Sequence, residues 1–323
     1  MQTGFTTQDL AIQSITAQDC ATRYPLLILH GVGFRDKASR YYWGRIPAIL
    51  EKHGARIFLG YQDAWGTYEN NARQIATTVG DILKRTSSEK VNIIAHSKGG
   101  VDARCLISSL GMEAKIATLT TLSSPHHGAK TLGGLFRIGK PVFKLISPLI
   151  NALFRKLGDV SPDFLAVCKE LSPRYMDEFN LTNPDQPGIY YQHYAAVMNS
   201  VLSDLVFSFT YLIIRICDGA NDGIVALSSM QYGSAENFKG ILYTGRRRGV
   251  SHGDLADYRR RPFLRTSQFK EDRLVSEQSA SEKFVGGKLA DKKHSNVELP
   301  HIKVNNIPDF YVGLVADLKN AGY

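Results

Sequence analysis

A chain of 323 residues with 43% hydrophobic and 21% charged side chains can bury one large α/β core, which excludes the disordered and fibrous classes. The net charge of +9 rests partly on Arg246-Arg247-Arg248 and Arg259-Arg260-Arg261. With no aromatic-interleaved basic stripe, this charge reads as a solvated basic face and not as a nucleic-acid surface. No apolar run reaches the ~18 to 20 residues of a spanning helix. The longest, Val201 to Cys217, is broken by Asp204 and Arg215.

Met1 to Asp19 lacks a basic start followed by an apolar stretch, so no secretory signal is read in the chain as given. That leaves the cytoplasm for this chain, and secretion if a signal has been removed. Cys20, Cys105, Cys168 and Cys217 form no C-x-x-C pair and no zinc spacing. Cys105 reads as a small buried hydrophobe, and one disulfide remains open without a pairing.

In chain order, Pro25 to Leu29 is a short apolar strand ending in His30-Gly31-Val32-Gly33, and Ala55 to Leu59 is a second. Thr67 to Arg85 reads as a helix capped by Thr67, with Ala72, Ile75, Ala76, Val79, Ile82 and Leu83 on one face. Val91 to Ala95 is a third strand, Val101 to Leu110 a helix and Ile116 to Leu122 a fourth strand. Continuous apolar strands alternating with helices predict a mostly parallel central sheet with helices on both faces, within one domain over 1–323. The pattern breaks at 129–187, which reads as an inserted helical cap. There Phe143, Ile146, Leu149, Ile150 and Phe154 recur at helical spacing between Lys140 and Lys156. They give the cap one apolar helix face. Strands return at Ile189 to Val197 and Lys239 to Thr244, residues 255–305 form an irregular charged insertion, and Pro308 to Gly322 closes as a helix.

Val91-Asn92-Ile93-Ile94-Ala95-His96-Ser97-Lys98-Gly99-Gly100 carries the chemistry. A strand enters a sharp turn at Ser97 and a helix leaves it. Ala95 and Gly99 must be small because strand and helix approach closely there. Ser97 then stands exposed at the carboxyl end of the sheet as a nucleophile. The Lys98 amide and the Val32 amide of the glycine-flanked loop after the first strand are the candidate oxyanion donors. His30 reads as a loop brace. The acid and base should follow in the order Ser, Asp, His. Asp222, in Gly219-Ala220-Asn221-Asp222-Gly223, is favoured over Asp218. Of nine histidines, His252 alone lies after an acid in a loop following a strand. His126 and His127 are candidates to line the cleft.

These residues resemble the bacterial triacylglycerol lipases of the Pseudomonas and Burkholderia type. The likeness is carried by LHGVGF at 29–34, YWGRIP at 42–47, GARIF at 54–58, VNIIAHSKGG at 91–100 and SSPHHG at 123–128. It continues through ANDGIV at 220–225, SHGD at 251–254 and LKNAG at 318–322. The resemblance implies an α/β-hydrolase fold with an apolar lid and carboxylic-ester hydrolysis at a lipid interface. It also implies Ser97, Asp222 and His252 as triad, with Val32 and Lys98 as oxyanion donors. It requires no cofactor for catalysis but implies a structural Ca²⁺ held by Asp254, with Asp204 as the nearest second carboxylate. The expected partner is an ester lipid at an interface, with peripheral membrane contact. The chain departs from the family in Lys98, where many relatives carry His or Gln, in the length of 255–305, and in its cysteine positions. A thioesterase, phospholipase or acyltransferase on the same triad stays open, as does a lipid-binding pseudoenzyme.

Overall fold

The computed structural model describes residues 18–36, 42–234, 236–244, 249–258 and 299–323. Both arginine triplets and most of 255–305 lie outside the described residues.

Seven strands form one sheet: β1 (Leu26–Leu29), β2 (Ile57–Leu59), β3 (Val91–His96), β4 (Ile116–Leu122), β5 (Tyr190–Ala196), β6 (Phe238–Tyr243) and β7 (His301–Lys303). All pairs are parallel, in the order β2-β1-β3-β4-β5-β6-β7. The parallel sheet expected from the strand pattern is present, in the α/β-hydrolase architecture that the resemblance implies. β7 falls inside the stretch read as irregular, because three residues carry too little periodicity to register as a strand.

The chain steps from β1 outward to β2 and then returns to the far side of β1 to lay down β3. Connections leave the carboxyl ends of β1 and β3 in opposite directions, and a crevice opens between them. His30 to Gly33 follow β1 at that crevice, and Ser97 follows β3.

Alternating side chains of the buried strands feed two cores. Leu26 and Ile28 pack with Trp43, Ile46, Tyr311 and Leu314, while Leu27 and Leu29 pack with Ile75, Val79, Ile93 and Val101 on the other face. Helix α1 (Ile46–Lys52) supplies Ile46 and Leu50, and α2 (Tyr68–Thr86) supplies Ile75, Val79 and Ile82. Each such buried side chain contributes about 1.5 to 3 kcal/mol. As predicted, Thr67 caps α2, its side chain accepting from the Asn70 amide. Helix α1 is not among the elements read from the sequence, because it is only seven residues long.

Helix α3 (Lys98–Ile107) follows β3, and Cys105 is buried in it. Between β4 and β5 come α4 (Lys130–Leu157), α5 (Phe164–Glu170) and α6 (Pro173–Thr182). Where α4 ends at Gly158, φ +105°, a reciprocal clamp fastens this excursion to the body. Asp159 accepts from the Ala64 and Trp65 amides, and Asp63 accepts from those of Val160 and Ser161. Arg35 reaches both carboxylates. Glu170 accepts from the Tyr68 amide, a further tie to α2. Beyond β5 lie α7 (Ser208–Cys217), α8 (Leu227–Met230), α9 (His252–Leu255) and the closing α10 (Ile307–Asn320), with Pro308 in its first turn.

Candidate active site

The turn after β3 is strained. Ser97 has φ 56° and ψ −132°, a backbone conformation costly for any residue with a Cβ. Its surroundings over-determine it. The Ser97 amide donates to Leu122 O of β4 at 3.0 Å, and the Gly100 amide donates to Ser97 O at 3.1 Å. A Cβ on Gly99 would stand 2.7 Å from the carbonyl oxygens of Leu29 and His30, so only glycine lets α3 start against the end of β1. A Cβ on Gly31 would meet Ser97 Cβ at 2.7 Å, so the glycine loop lies directly on the serine side chain.

Asp222 and His252 meet although thirty positions separate them. His252 Nδ1 and Asp222 Oδ2 are 2.6 Å apart. The other carboxylate oxygen, Oδ1, accepts from the Ile224 and Val225 amides at 3.0 and 2.8 Å. The His252 amide donates to Asp222 O at 2.8 Å, so the two loops are joined through backbone as well. Asp222 is fully buried, and His252 keeps a small exposed edge. Because the carboxylate holds Nδ1–H, Nε2 is left as the basic nitrogen.

The His252 ring lies 4.4 Å, centroid to centroid, from that of His96, the residue before Ser97. Burial, followed by the neighbouring His252, holds the His96 pKa well below the ordinary histidine value. His96 therefore adds no positive charge beside His252. Tyr42 braces this layer: its hydroxyl accepts from the Gly31 amide at 2.8 Å and lies 2.5 Å from His96 Nδ1. The roles of Tyr42, His96 and Gly31 were not read from the sequence. YWGRIP at 42–47 was noted for its likeness alone, and nothing local says that Tyr42 reaches the elbow.

Gly31's amide is occupied by Tyr42. Among the described residues, the Val32 and Lys98 amides have no protein acceptor. They are the two donors named from sequence, one on the loop after β1 and one at the N-terminus of α3. The Lys98 side chain turns away into the interior. Its Nζ is 2.5 Å from Asp102 Oδ1, and Asn71 donates to the other Asp102 oxygen at 2.8 Å. Burial raises the Asp102 pKa, opposed by the Lys98 charge.

Asp218, the rival acid, is turned elsewhere. Its Oδ2 accepts from the Thr131 amide at 3.1 Å and the Thr131 hydroxyl at 2.7 Å, tying the end of α7 to the start of α4. His30 is buried, its ring nitrogens 2.8 Å from Gly31 O and 3.1 Å from Gln62 O, the bracing position expected of it. His126 does not line the cleft. It is fully buried, stacked on Tyr232 and bonded to Thr121, beside the buried guanidinium of Arg104. His127 is exposed. All four cysteines are free thiols.

Asp204 and Asp254 converge on Ser251, next to His252. Asp204 Oδ2 accepts from the Ser251 hydroxyl at 2.7 Å and Oδ1 from the Val206 amide at 3.1 Å. Asp254 Oδ2 accepts from the Ser251 amide at 3.0 Å and completes a capping box on α9. Two buried carboxylates offer the hard oxygens that suit Ca²⁺. No group of three or more His, Cys, Asp or Glu side chains arranged to hold a metal ion is found among the described residues. A cation would therefore need backbone or solvent oxygens for the rest of its shell.

The helices of 129–187 differ from expectation. α4 is apolar on two faces. Phe143, Ile150 and Phe154 are half-buried, with Phe143 stacked on Phe164 and Phe154 against Trp65. Ile146 and Leu149, read as part of the same stripe, are exposed, Leu149 by 74%. The sequence stripe merged two faces because both are apolar at overlapping helical spacing.

Comparison with known proteins places these elements in a wider context. Residues 25–158 match the family described as palmitoyl protein thioesterase. A triacylglycerol lipase of Pseudarthrobacter phenanthrenivorans is 33% identical over 116 residues, 34% of this chain and 35% of the relative. One from Pseudomonas fragi is 32% identical over 144 residues, 42% and 48% of the two chains. Triacylglycerol lipase 2 of Saccharomyces cerevisiae is 25% identical over 227 residues, 68% and 63%. The aligned part thus spans only about a third of the length of the triacylglycerol lipases of Pseudarthrobacter phenanthrenivorans and Burkholderia plantarii. Among solved structures, the mature Bacillus licheniformis lipase BlEst2 superposes with a TM-score of 0.56 at 17% identity, over 76% of this chain and 91% of that one.

Proposed function

We propose that this chain, an α/β-hydrolase related to the bacterial triacylglycerol lipases, is a serine carboxylic-ester hydrolase acting on acylglycerols. The observation that carries the reading is the Asp222–His252 pair at 2.6 Å, set beside the elbow that holds Ser97 at φ 56°. In this reading His252 Nε2 takes the proton as Ser97 Oγ attacks the ester carbonyl, and the oxyanion settles on the Val32 and Lys98 amides. The tetrahedral adduct expels the alcohol, which receives that proton, and leaves an acyl-serine. Water, deprotonated by the same nitrogen, then releases the acid and restores Ser97. Asp222, its second oxygen fixed by two amides, holds the imidazole in one tautomer and stabilises it when charged.

Fluorophosphonate labelling tests the reading. Wild type should be labelled and Ser97→Ala should not. Persistent labelling at another residue, or none in a folded wild type, would overturn it. A second reading is favoured by the match to the palmitoyl protein thioesterase family: acyl thioesters as substrates on the same triad. Relative kcat/KM for a matched long-chain ester and thioester decides between them.

A structural Ca²⁺ at Asp204 and Asp254 belongs to the same proposal, where it would brace the loop that carries His252. Binding only to the native state raises stability. EDTA should therefore lower Tm and added Ca²⁺ restore it; a Tm indifferent to both would remove the ion.

A further inference from the structure

Helix α4 and the segment leading through α7 leave a broad apolar surface uncovered. On α4, Leu145, Leu149 and Leu153 are exposed by 79%, 74% and 51%. On the other side Leu205, Phe209 and Ile216 are exposed by 75%, 74% and 79%. α4 and α7 touch, and the Asp218–Thr131 bonds hold them together, so the two sets lie on joined elements. Exposed apolar patches of this kind mark interaction surfaces.

Charge selects the occupant. α4 carries Lys130, Arg137, Lys140, Lys144, Arg155 and Lys156 and not one acidic residue, and Arg215 is the only charge in α7. Lys140, Lys144, Arg155, Lys156 and Arg215 are exposed. A second copy of this face would bring like charges together. Apolar faces rimmed by lysine and arginine instead suit the headgroup layer of an anionic membrane, into which such helices sink lengthwise. No helix among the described residues is long and apolar enough to cross a bilayer, which leaves the surface mode for these two.

The surface is also anchored to the chemistry. Phe207, the residue before α7, packs between the two loops of the acid and base. A Cβ on Gly223 would meet Phe207 Cβ at 2.6 Å, and one on Gly253 would meet its ring at 2.9 Å. Gly223 follows Asp222 and Gly253 follows His252.

We propose that α4 and α7 form a two-helix platform that seats this protein on anionic phospholipid bilayers, with the Asp222–His252 loops held at the membrane surface. The proposal names the partner of the hydrolase site and rests on that reading for what is done there, while membrane binding can be measured without it. Vesicle flotation with full-length Ser97→Ala separates the two. One vesicle set contains phosphatidylcholine alone and the other three parts phosphatidylcholine to one part phosphatidylglycerol.

The expected result is binding at least ~10-fold stronger to the phosphatidylglycerol vesicles, weakened by salt. Lys140→Gln with Lys144→Gln and Lys156→Gln should erase that preference. Leu145→Asp with Phe209→Asp should abolish binding to both sets. Both variants should keep wild-type hydrolysis of a dissolved short-chain ester when Ser97 is present, which shows that they fold. Equal binding to both vesicle sets, a charge variant that keeps the preference, or concentration-dependent dimerisation with no flotation would each overturn the platform. Flotation as expected from a wild type inert to every ester would instead sink the hydrolase reading and leave the platform standing.

Discussion

The elbow and the α4–α7 surface are built from different side chains under opposite constraints. At the elbow every position is closed by contact: Gly31 lies against Ser97, Gly99 against the end of β1, Tyr42 against His96 and Gly31, Asp222 against two amides and His252. On α4 and α7, leucine, phenylalanine and isoleucine face solvent. A closed site is specified by internal geometry, so a substitution there acts on chemistry or folding. An open surface is specified by what it meets, so a substitution there acts on binding. Variants that cross this line would break the distinction.

The largest effects belong to the closed site. On the proposed chemistry, Ser97→Ala and His252→Ala should each lower kcat by several orders of magnitude, because triad members act as a unit. Asp222→Asn should be severe, through the wrong tautomer of His252. Asp218→Asn should leave turnover of a dissolved ester nearly intact, since its carboxylate serves Thr131. Wild-type kcat in Asp222→Asn together with a collapse in Asp218→Asn would move the acid to α7.

How much of this was legible in the sequence follows the same division. The elbow could be read because its constraints are local: Ala95, Ser97 and Gly99 fall within five residues, between a buried strand and a helix. Asp222 and His252 could be ordered along the chain, and the apolar Ile224-Val225 after Asp222-Gly223 favoured it over Asp218, but their contact is a property of the folded sheet. Tyr42 could not be found, because its bonds to Gly31 and His96 cross 11 and 54 positions. The Asp63 and Asp159 clamp was equally hidden, since a carboxylate that caps distant amides leaves no periodic trace. β7 and α1 were too short for periodicity to speak. α4 misled differently. Its helix was evident, but two apolar faces at overlapping spacing read as one, and only packing on Phe164 and Trp65 separates inner from outer.

A middle-sized effect tests whether Lys98 serves the closed site with its backbone alone. Lys98→Met keeps the amide but strands the Asp102 carboxylate, which among the described residues is left with the Asn71 side chain as its donor. Removing one partner of a buried pair costs about 3 to 5 kcal/mol, whereas replacing both with apolar groups is often near neutral. Urea denaturation should therefore show a large loss for Lys98→Met and substantial recovery in Lys98→Met with Asp102→Leu. In the double variant kcat should stay close to wild type. A kcat that falls with the ammonium despite restored stability would place its charge in the reaction.

The smallest effect probes the seam between the cap and the body. Glu170, on α5, accepts from the Tyr68 amide of α2. Burial pushes its pKa up to about 7, against the opposing pull of Lys98 and that amide. The unfolded value is the lower one, so between the two the native state binds the extra proton. Native stability must then fall as pH rises from about 4.5 through about 7 and level off above. Glu170→Gln keeps an acceptor for Tyr68 but removes the titration. Relative to wild type it should gain on the order of 1 to 3 kcal/mol between about pH 5 and pH 8, the upper figure reduced because Glu170 is not fully enclosed. Denaturant midpoints at the two pH values measure this directly. Parallel curves for Glu170→Gln and wild type would mean that the carboxylate is already solvated, and that the seam beside the closed site opens to water as the outer surface does.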